Sequence, residues 1–393
     1  MQEMVQRYAT RKKGKLAPKT FYEYSNYPRK FVAWLETQKN SKHVPIRAVQ
    51  RADIADYIDD LLAERLNERT IQQKYLGAIN GLFSLAQTTG ALPEGQLVTL
   101  GHKIFTKADS KKATASSGYK PFTDDELEII FKPENLCKTD RPADFWLPLL
   151  GLVTGGRISE LCQLDVADIQ KHGDIWAISI NDEGDKSLKT LASNRLIPIH
   201  PVLLGIGFLD YVADAKEFGP KLFPYLTPDA FGSYGVAPSE RWGKYLDSLG
   251  ITDSQKVFHS FRSTSNNRLK QNGVAEECRC QFIGHDHDTI NSDTYSEPHE
   301  LDYLLKHVAS QLIYPNIDFG KLRYAPGQFR PLLERLCRAK AKRDTHKAAK
   351  KAREERKAKA AHPGHESGIA RLLCRVKHPM CPTTFSKKFS CNK

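Results

Sequence analysis

The chain has 393 residues, 40% of them hydrophobic, and a formal net charge of +13 at pH 7. No apolar run approaches the length of a membrane-spanning helix and the start lacks the apolar middle of a secretion signal, so we expect a cytoplasmic protein of two or three domains. The charge is uneven, because residues 324–393 hold 19 Lys and Arg against 5 Asp and Glu, whereas residues 1–323 hold 40 against 41; the overall basicity alone therefore does not predict nucleic-acid binding by the rest of the chain.

Amphipathic helices are predicted throughout residues 20–92. Apolar side chains recur there at helical spacing, as in Phe21, Tyr24, Phe31, Trp34 and Leu35. This pattern indicates a compact helical bundle. A basic segment, residues 1–19, precedes it, and residues 1–51 together carry 12 Lys and Arg against 3 Asp and Glu, an excess suited to a phosphate backbone.

Residues 93–120 lose the helical period and gain Gly, Pro, Ser and Lys, which is typical of an interdomain linker. A second domain is predicted over residues 121–323. It opens with a capping box, in which Thr123 caps a helix and Glu126 reaches back to it. Further along, an apolar helix is expected to end in a left-handed cap at Gly155, two residues before a new helix.

The hydrophobic period changes to two after this new helix. Residues 174–180 and 195–200 have the pattern of short strands, and the turn-rich stretch between them predicts a hairpin or a small sheet. Helix is expected again from Pro201. The predicted fold class is therefore mainly α with a small antiparallel β-sheet (α+β).

The C-terminal part begins with an amphipathic helix over residues 299–313, whose apolar row includes Leu304, Val308 and Leu312. Residues 324–393 form a basic tail, which we expect to be partly disordered, with auxiliary DNA contact as the alternative. A zinc site is a further alternative in the tail, built from Cys374, His378 and Cys381 with Cys391 or His365.

Side chains suited to phosphodiester cleavage gather between residues 259 and 295. His259 and Arg262 are three residues apart and share a face at a helix start. His285 follows a glycine, and Tyr295 ends the stretch. A planar guanidinium pairs with two phosphate oxygens, and a phenolate can carry a phosphoryl group covalently. The transition state needs more positive charge than one Arg supplies, and Arg157 is the expected second cation.

These elements, in this order, resemble the tyrosine recombinases, the family of the phage integrases. The matching elements are Arg157 with Glu160, a Lys within residues 186–189, His259 with Arg262, Gly284 with His285, and Tyr295. Their joint order is far more specific than any one short string. Two departures are the residue after Arg262, which is not His, and the ten positions that separate His285 from Tyr295.

The resemblance implies a helical core-binding domain over residues 20–92 and a tyrosine-recombinase catalytic domain. It implies that Tyr295 attacks a DNA phosphate and becomes linked to it, while Arg157 and Arg262 bind the non-bridging oxygens. The two histidines, His259 and His285, would donate hydrogen bonds to these oxygens or carry the phenol proton. Glu160 is expected to orient His259 or the adjacent backbone.

A lysine is expected to protonate the leaving 5′ oxygen. Lys189 is preferred because it precedes Ser193, Asn194, Arg195 and the second strand, the usual context of the family's hairpin lysine; Lys186 is the alternative. Positive side chains at each oxygen make a metal unnecessary, so we expect no metal ligands and no cofactor. Because the phosphotyrosine keeps the energy of the broken bond, rejoining needs no ATP.

The expected partners are double-stranded DNA attachment sites, further copies of the chain in a tetramer on DNA, and accessory DNA-bending proteins, which would place the protein at the nucleoid. The apolar face of the helix over residues 299–313 is a candidate tetramer contact. Tyr303 and Tyr314 are rival nucleophiles, and Tyr303 is more consistent with packing. The alternative functions are a type IB topoisomerase and a catalytically silent DNA-binding regulator.

Overall fold

The computed structural model describes residues 1–106, 109, 118–285 and 297–361. The chain divides into two compact units, Met1–Glu334 and Arg335–Lys393. Within the described ranges, no helix combines the length and the apolar character that crossing a lipid bilayer requires.

The first unit begins with a helical bundle. Its helices are α1 (Gln2–Lys12), α2 (Pro18–Gln38), α3 (Arg51–Ala63), α4 (Glu68–Thr70) and α5 (Leu76–Thr88), with a π-helical segment, Ile71–Tyr75, between the last two and a 3₁₀ turn at Ile46–Ala48. Apolar side chains from α2, α3 and α5, among them Leu35, Ile54 and Ile79, are fully buried in its core.

Helix α1 belongs to this bundle. Val5 and Tyr8 lie three residues apart on one face of the helix and pack against Val32 of α2 and Leu82 of α5. Residues 1–19, for which the sequence pattern predicts a separate basic segment, thus contribute a packed helix. Composition did not reveal this apolar face, because the face is short and the segment is rich in basic side chains.

Four helices precede the sheet in the second half of the unit. They are α6 (Asp124–Ile130), α7 (Pro133–Leu136), α8 (Pro142–Thr154) and α9 (Ile158–Cys162). The capping box at Thr123 is confirmed, because the Glu126 N–H donates to the Thr123 hydroxyl and the Thr123 N–H donates to the Glu126 carboxylate. Helix α8 is buried on nearly all sides and forms the centre of the core.

The sheet has three antiparallel strands in the order β1 (Ile169–His172), β2 (Ile175–Ile180) and β3 (Arg195–Pro198). Ile178 of β2 pairs with Ile169 on one side and with Ile197 on the other. Strands β2 and β3 lie at the predicted positions, and the mixed fold class is confirmed. Strand β1 was not predicted, since only Ile169 of its four residues is buried and no alternation reveals it.

The described helices that follow the sheet in the chain complete the unit. They are α10 (Pro201–Gly205), α11 (Phe208–Lys216), α12 (Val236–Ser248), α13 (Ser260–Gln271), α14 (Glu276–Ile283) and α15 (Leu301–His307), with 3₁₀ turns at Val166–Asp168, Leu191–Ser193, Ala309–Gln311 and Phe319–Leu322.

The apolar face of α15 is buried within its own chain. Leu304, Val308 and Leu312 are almost completely inaccessible, so this row packs on the unit that carries it. These three side chains are therefore covered within the chain itself, and a tetramer contact of this helix stays a prediction. Helical spacing reveals an apolar face but does not identify what covers it.

Packing continues past residue 323, the predicted end of the catalytic domain. Tyr324 and Phe329 are buried against the ring of Tyr211, and the Tyr324 hydroxyl donates to Asp214. Helix α16 (Arg330–Ala361) starts in this region. In the second unit, the described residues are helical and mostly exposed, whereas the proposed zinc ligands of the tail lie outside the described residues.

Candidate active site

Arg157 is fixed by the turn between α8 and α9. Gly155 ends α8 with φ +61°, the left-handed cap predicted from the sequence. Gly156 lies so close to Leu161 that a Cβ would approach it to 2.9 Å. Arg157 is then the N-cap of α9, and its backbone N–H donates to Glu160 Oε2 at 3.0 Å. Its Nη1 donates to Glu160 Oε1 and to Ser193 Oγ.

Glu160 is a buried carboxylate shared by two arginines. Besides its bonds to Arg157, Oε2 accepts from Nη2 of Arg195 at 3.0 Å. Burial alone would raise the pKa of this carboxyl, but Arg195 and Arg157 outweigh that effect and hold the pKa below its usual range. Glu160 thus orients the adjacent backbone, one of the two expected roles, and among the described residues no hydrogen bond joins it to His259.

Arg262 lies on α13 with only 2% of its surface exposed. Nη1 donates to the carbonyls of Gly155 and Ile283, Nη2 donates to the carbonyl of Gly284, and Nε donates to His285 Nε2 at 3.0 Å. Four of its N–H groups therefore hold the pocket together. Burial, with Arg157 and Arg195 nearby, lowers its pKa to about 9, which leaves the guanidinium charged at neutral pH.

Both predicted histidines are neutral. The pKa of His259, which precedes α13, is lowered to about 4 by burial and by the charges of Arg262, Arg157 and Lys189. The pKa of His285 is lowered to about 4 by burial and then mainly by Arg262 and Arg157. The contacts agree with this, because Arg262 binds both His285 and the carbonyl of Gly155, two residues before Arg157.

The two candidate lysines differ completely in environment. Lys186 is buried, and its ammonium donates to both oxygens of Asp168, with Asp165 at 3.2 Å. The next residue is held by Gln163, whose amide exchanges two hydrogen bonds with the backbone of Ser187. Lys189 is exposed, and its charge reaches His259. Lys189 is thus the lysine whose charge acts on His259, whereas the charge of Lys186 is balanced by Asp168 and Asp165.

The structure therefore brings together Arg157, Glu160, Lys189, His259, Arg262 and His285. Tyr295 lies outside the described residues. Of its rivals, Tyr314 is buried and donates to the carbonyl of Leu152, which suits packing. Tyr303 is 40% exposed, and its ring packs on His299 and His307.

Two further contributors to the site, Arg195 and Gln163, were not predicted from the sequence. Arg195 had a detectable signal, because it alternates with Ile197 and Ile199 on the inward side of β3, and a charge in an apolar row indicates a buried ion pair. Gln163 had none, since its role depends on the backbone of Ser187, which is distant in sequence.

Comparisons with known proteins bear on the fold. No family model and no curated protein matches the sequence. Among solved structures, a lambda integrase (75–356) dimer bound to a COC′ core site has a TM-score of 0.52 and 17% identity, covering 76% of this chain and 98% of that one. XerH site-specific recombinase in a post-cleavage complex on palindromic difH has a TM-score of 0.50 and 14% identity, covering 78% and 92%.

A third similar structure is the Tn1549 transposon integrase in complex with a circular intermediate DNA, with a TM-score of 0.50, 18% identity and coverage of 75% and 95%. Each of these similarities covers at least 75% of this chain. The chain has the tyrosine recombinase fold, and the resemblance based on the sequence motifs is confirmed at that level.

Proposed function

We propose that the protein is a site-specific DNA recombinase that cleaves and rejoins strands through a 3′-phosphotyrosine intermediate, for the integration or excision of a mobile element. The observation that carries this proposal is the convergence of Arg157, Arg262, His259, His285 and Lys189 on one pocket. These residues come from segments that are up to about 130 positions apart in the chain, and a cationic pocket of this kind matches the charge of a pentavalent phosphate.

Cleavage begins when the Tyr295 oxygen forms a bond to phosphorus and the bond from phosphorus to the 5′ oxygen breaks. Arg157 is the cation best placed to bind a non-bridging oxygen, because its side chain is 19% exposed whereas most N–H groups of Arg262 already bind the protein. Arg262 supplies charge and its remaining Nη2 donor. Lys189 gives a proton to the leaving 5′ oxygen.

The two imidazoles have different tasks in this scheme. His285 accepts from Arg262 through Nε2, so its proton is on Nδ1 and can be donated to a phosphate oxygen. His259 carries no such bond from Arg262 and is the better acceptor for the phenol proton. Rejoining reverses these transfers, with a deoxyribose hydroxyl as the attacking group, and requires no ATP.

The similar solved structures support DNA as the partner, since lambda integrase, XerH and Tn1549 integrase are all described in complexes with DNA. We infer that the helical bundle binds the duplex opposite the catalytic half, with the basic residues of the first 51 positions near the phosphates. Exchange between two duplexes requires two cuts in each, so a homotetramer is the proposed active assembly, at the nucleoid and with accessory DNA-bending proteins.

The proposal is tested with a library of nicked suicide duplexes that carry a randomised segment. Wild-type protein should become covalently attached to DNA, and sequencing of that DNA should reveal one preferred site. Tyr295→Phe should bind the selected duplex and form no adduct. Tyr303→Phe, which alters an exposed tyrosine on α15, is the matched control and should form adduct at the wild-type rate.

Two outcomes would overturn this function. Binding of DNA without any adduct by the wild-type protein would indicate a silent regulator. Relaxation of supercoiled plasmids that lack the selected site would indicate a topoisomerase. An adduct that persists in Tyr295→Phe would transfer the nucleophilic role to another tyrosine.

A further inference from the structure

Arg195 lies beneath the phosphate pocket and is enclosed by protein. Its side chain is 3% exposed. Nε donates to the carbonyl of Phe282 at 3.0 Å, Nη1 donates to the carbonyl of Ser193 at 2.7 Å, and Nη2 donates to Glu160 at 3.0 Å. A guanidinium with this burial and these partners does not touch DNA, so any role in the reaction is exerted through its neighbours.

Two of those neighbours hold Arg157. Glu160 binds the backbone and the Nη1 of Arg157, and the hydroxyl of Ser193 accepts from the same Nη1. Arg195 in turn binds both residues, because it donates to the carboxylate of Glu160 and to the carbonyl of Ser193. Loss of Arg195 would therefore release Arg157 on two sides at once.

The third neighbour leads to Arg262 and His285. Phe282 is followed by Ile283 and Gly284, whose carbonyls accept from Arg262. Gly284 has φ +79°, and a Cβ there would lie 2.6 Å from Nη1 of Arg195, so the turn before His285 is packed directly on the guanidinium. Arg195 thus joins the two halves of the pocket, which come from distant parts of the sequence.

Charge gives Arg195 a second effect. Glu160 with Arg157 alone would form a neutral pair, and a neutral pair attracts a phosphate weakly. Because Arg195 shares the same carboxylate, the three side chains together carry one net positive charge in a buried setting. That positive charge strengthens the attraction of the pocket for a phosphate, because water screens a buried charge least.

We propose that Arg195 is a positioning residue for phosphate cleavage, which sets the placement of Arg157 relative to Arg262 and prevents Glu160 from neutralising Arg157. This inference rests on the proposed function for its kinetic consequence and on the hydrogen bonds of Arg195 for its structural one.

The pKa of His285 provides an independent readout. Besides burial, the groups that lower it are Arg262, Arg157, His259 and Arg195, whereas the pKa of His259 is lowered by burial and by the charges of Arg262, Arg157 and Lys189, with Glu160 acting in the opposite direction. Removing Arg195 deletes one of the positive charges that lower the pKa of His285, and this change favours the protonated imidazole. The pKa of His285 should therefore rise above about 4.

The experiment compares Arg195→Met and Arg195→Lys in the full chain. Arg195→Met should bind the selected duplex with nearly wild-type affinity and form the covalent adduct about 100-fold more slowly, the effect typical of a misplaced reacting group. Arg195→Lys keeps the charge and loses the fork of hydrogen bonds, so its rate should lie between those of wild type and Arg195→Met. NMR titration of the imidazole signals should show the rise at His285 in the Met variant.

Arg241→Met is the matched control, because Arg241 is a part-buried arginine that binds both oxygens of Asp144 outside the pocket. It should lower the unfolding temperature and leave the adduct rate unchanged at temperatures where the protein is folded. If Arg195→Met and Arg241→Met lose stability and rate in parallel, Arg195 is only structural and the proposal is overturned.

The proposal is also overturned by a wild-type adduct rate in Arg195→Met, or by an unchanged His285 titration. Should Arg195→Met fail to fold, Arg195→Lys provides the rate measurement, because it keeps the charge and loses the fork of hydrogen bonds. If wild-type protein itself forms no adduct, the proposed function fails, and the His285 titration still decides whether Arg195 organises this pocket.

Discussion

Arg262 donates its Nε–H to Nε2 of His285 across 3.0 Å. An imidazole nitrogen that accepts a hydrogen bond carries no proton, so the proton of neutral His285 is on Nδ1. Burial and the charge of Arg262 lower the pKa of His285 and stabilise this state. His285 can therefore donate through Nδ1, but it cannot take a proton at Nε2 without losing Arg262.

Replacement of His285 tests this directional role. His285→Ala should slow adduct formation by about 10²–10³-fold, the loss expected for one hydrogen-bond donor to the transition state. His285→Gln should recover part of the rate, because its amide can accept from Arg262 and donate to the phosphate. Single-turnover rates on the suicide duplex measure both effects. Equal rates for the Ala and Gln variants would contradict the donor role.

Local sequence rules predicted some features of the fold and of the site. Gly155 with its positive φ and the box between Thr123 and Glu126 depend on neighbours within a few residues, so the pattern predicts them directly. Arg195 and Gln163 bind carbonyls and carboxylates that are distant in the chain, and no local rule connects them.

The choice between Lys186 and Lys189 also depends on contacts that local sequence rules do not predict. Sequence context favoured Lys189, and the ion pairs of Lys186 with Asp168 and Asp165, which the sequence did not predict, support the same choice. A buried ion pair depends on which chain segments meet, and this is decided by packing.

The stability of the protein should depend strongly on the charge of Lys186 and only weakly on the charge of Lys189. Lys186→Met leaves Asp168 buried without its cation and should lower the free energy of unfolding by about 3–5 kcal/mol. Lys189→Ala alters an exposed side chain and should change that free energy by less than about 0.5 kcal/mol. Urea denaturation measures both, and similar losses for the two variants would show that the assignment of environments is wrong.

Lys189→Ala should nevertheless slow adduct formation, by about 10²–10⁴-fold, because the 5′ oxygen then leaves without an acid. A duplex with sulfur in place of that oxygen has a leaving group that needs no proton and should restore the rate. Failure of the sulfur substrate to restore cleavage would exclude Lys189 as the proton donor.

Acidification should destabilise the free protein through His259 and His285. Their folded pKa of about 4 lies below the ordinary value of about 6.5, so between these pH values the unfolded chain binds protons that the folded chain does not. The stability is therefore complete above pH 6.5 and is lost as the pH falls toward 4. A His259→Gln, His285→Gln double variant should lose less stability between pH 6.5 and 5, as measured by denaturation; an unchanged slope would contradict the lowered pKa values.

Gln163→Met tests whether Gln163, the C-cap of helix α9, holds the segment that carries Lys189. The substitution keeps the side-chain length and removes both hydrogen bonds to Ser187, which are 3.0 and 3.1 Å long. Because water can reach Ser187, the cost in unfolding free energy should be only about 0.5–1.5 kcal/mol for each hydrogen bond. Adduct formation should slow, and the sulfur-substituted duplex should restore it, since the defect lies in delivery of the proton by Lys189. The same duplex should not restore Arg195→Met, whose defect lies in the arginine pocket, and rescue of both variants alike would show that the loop and the pocket are not separately positioned.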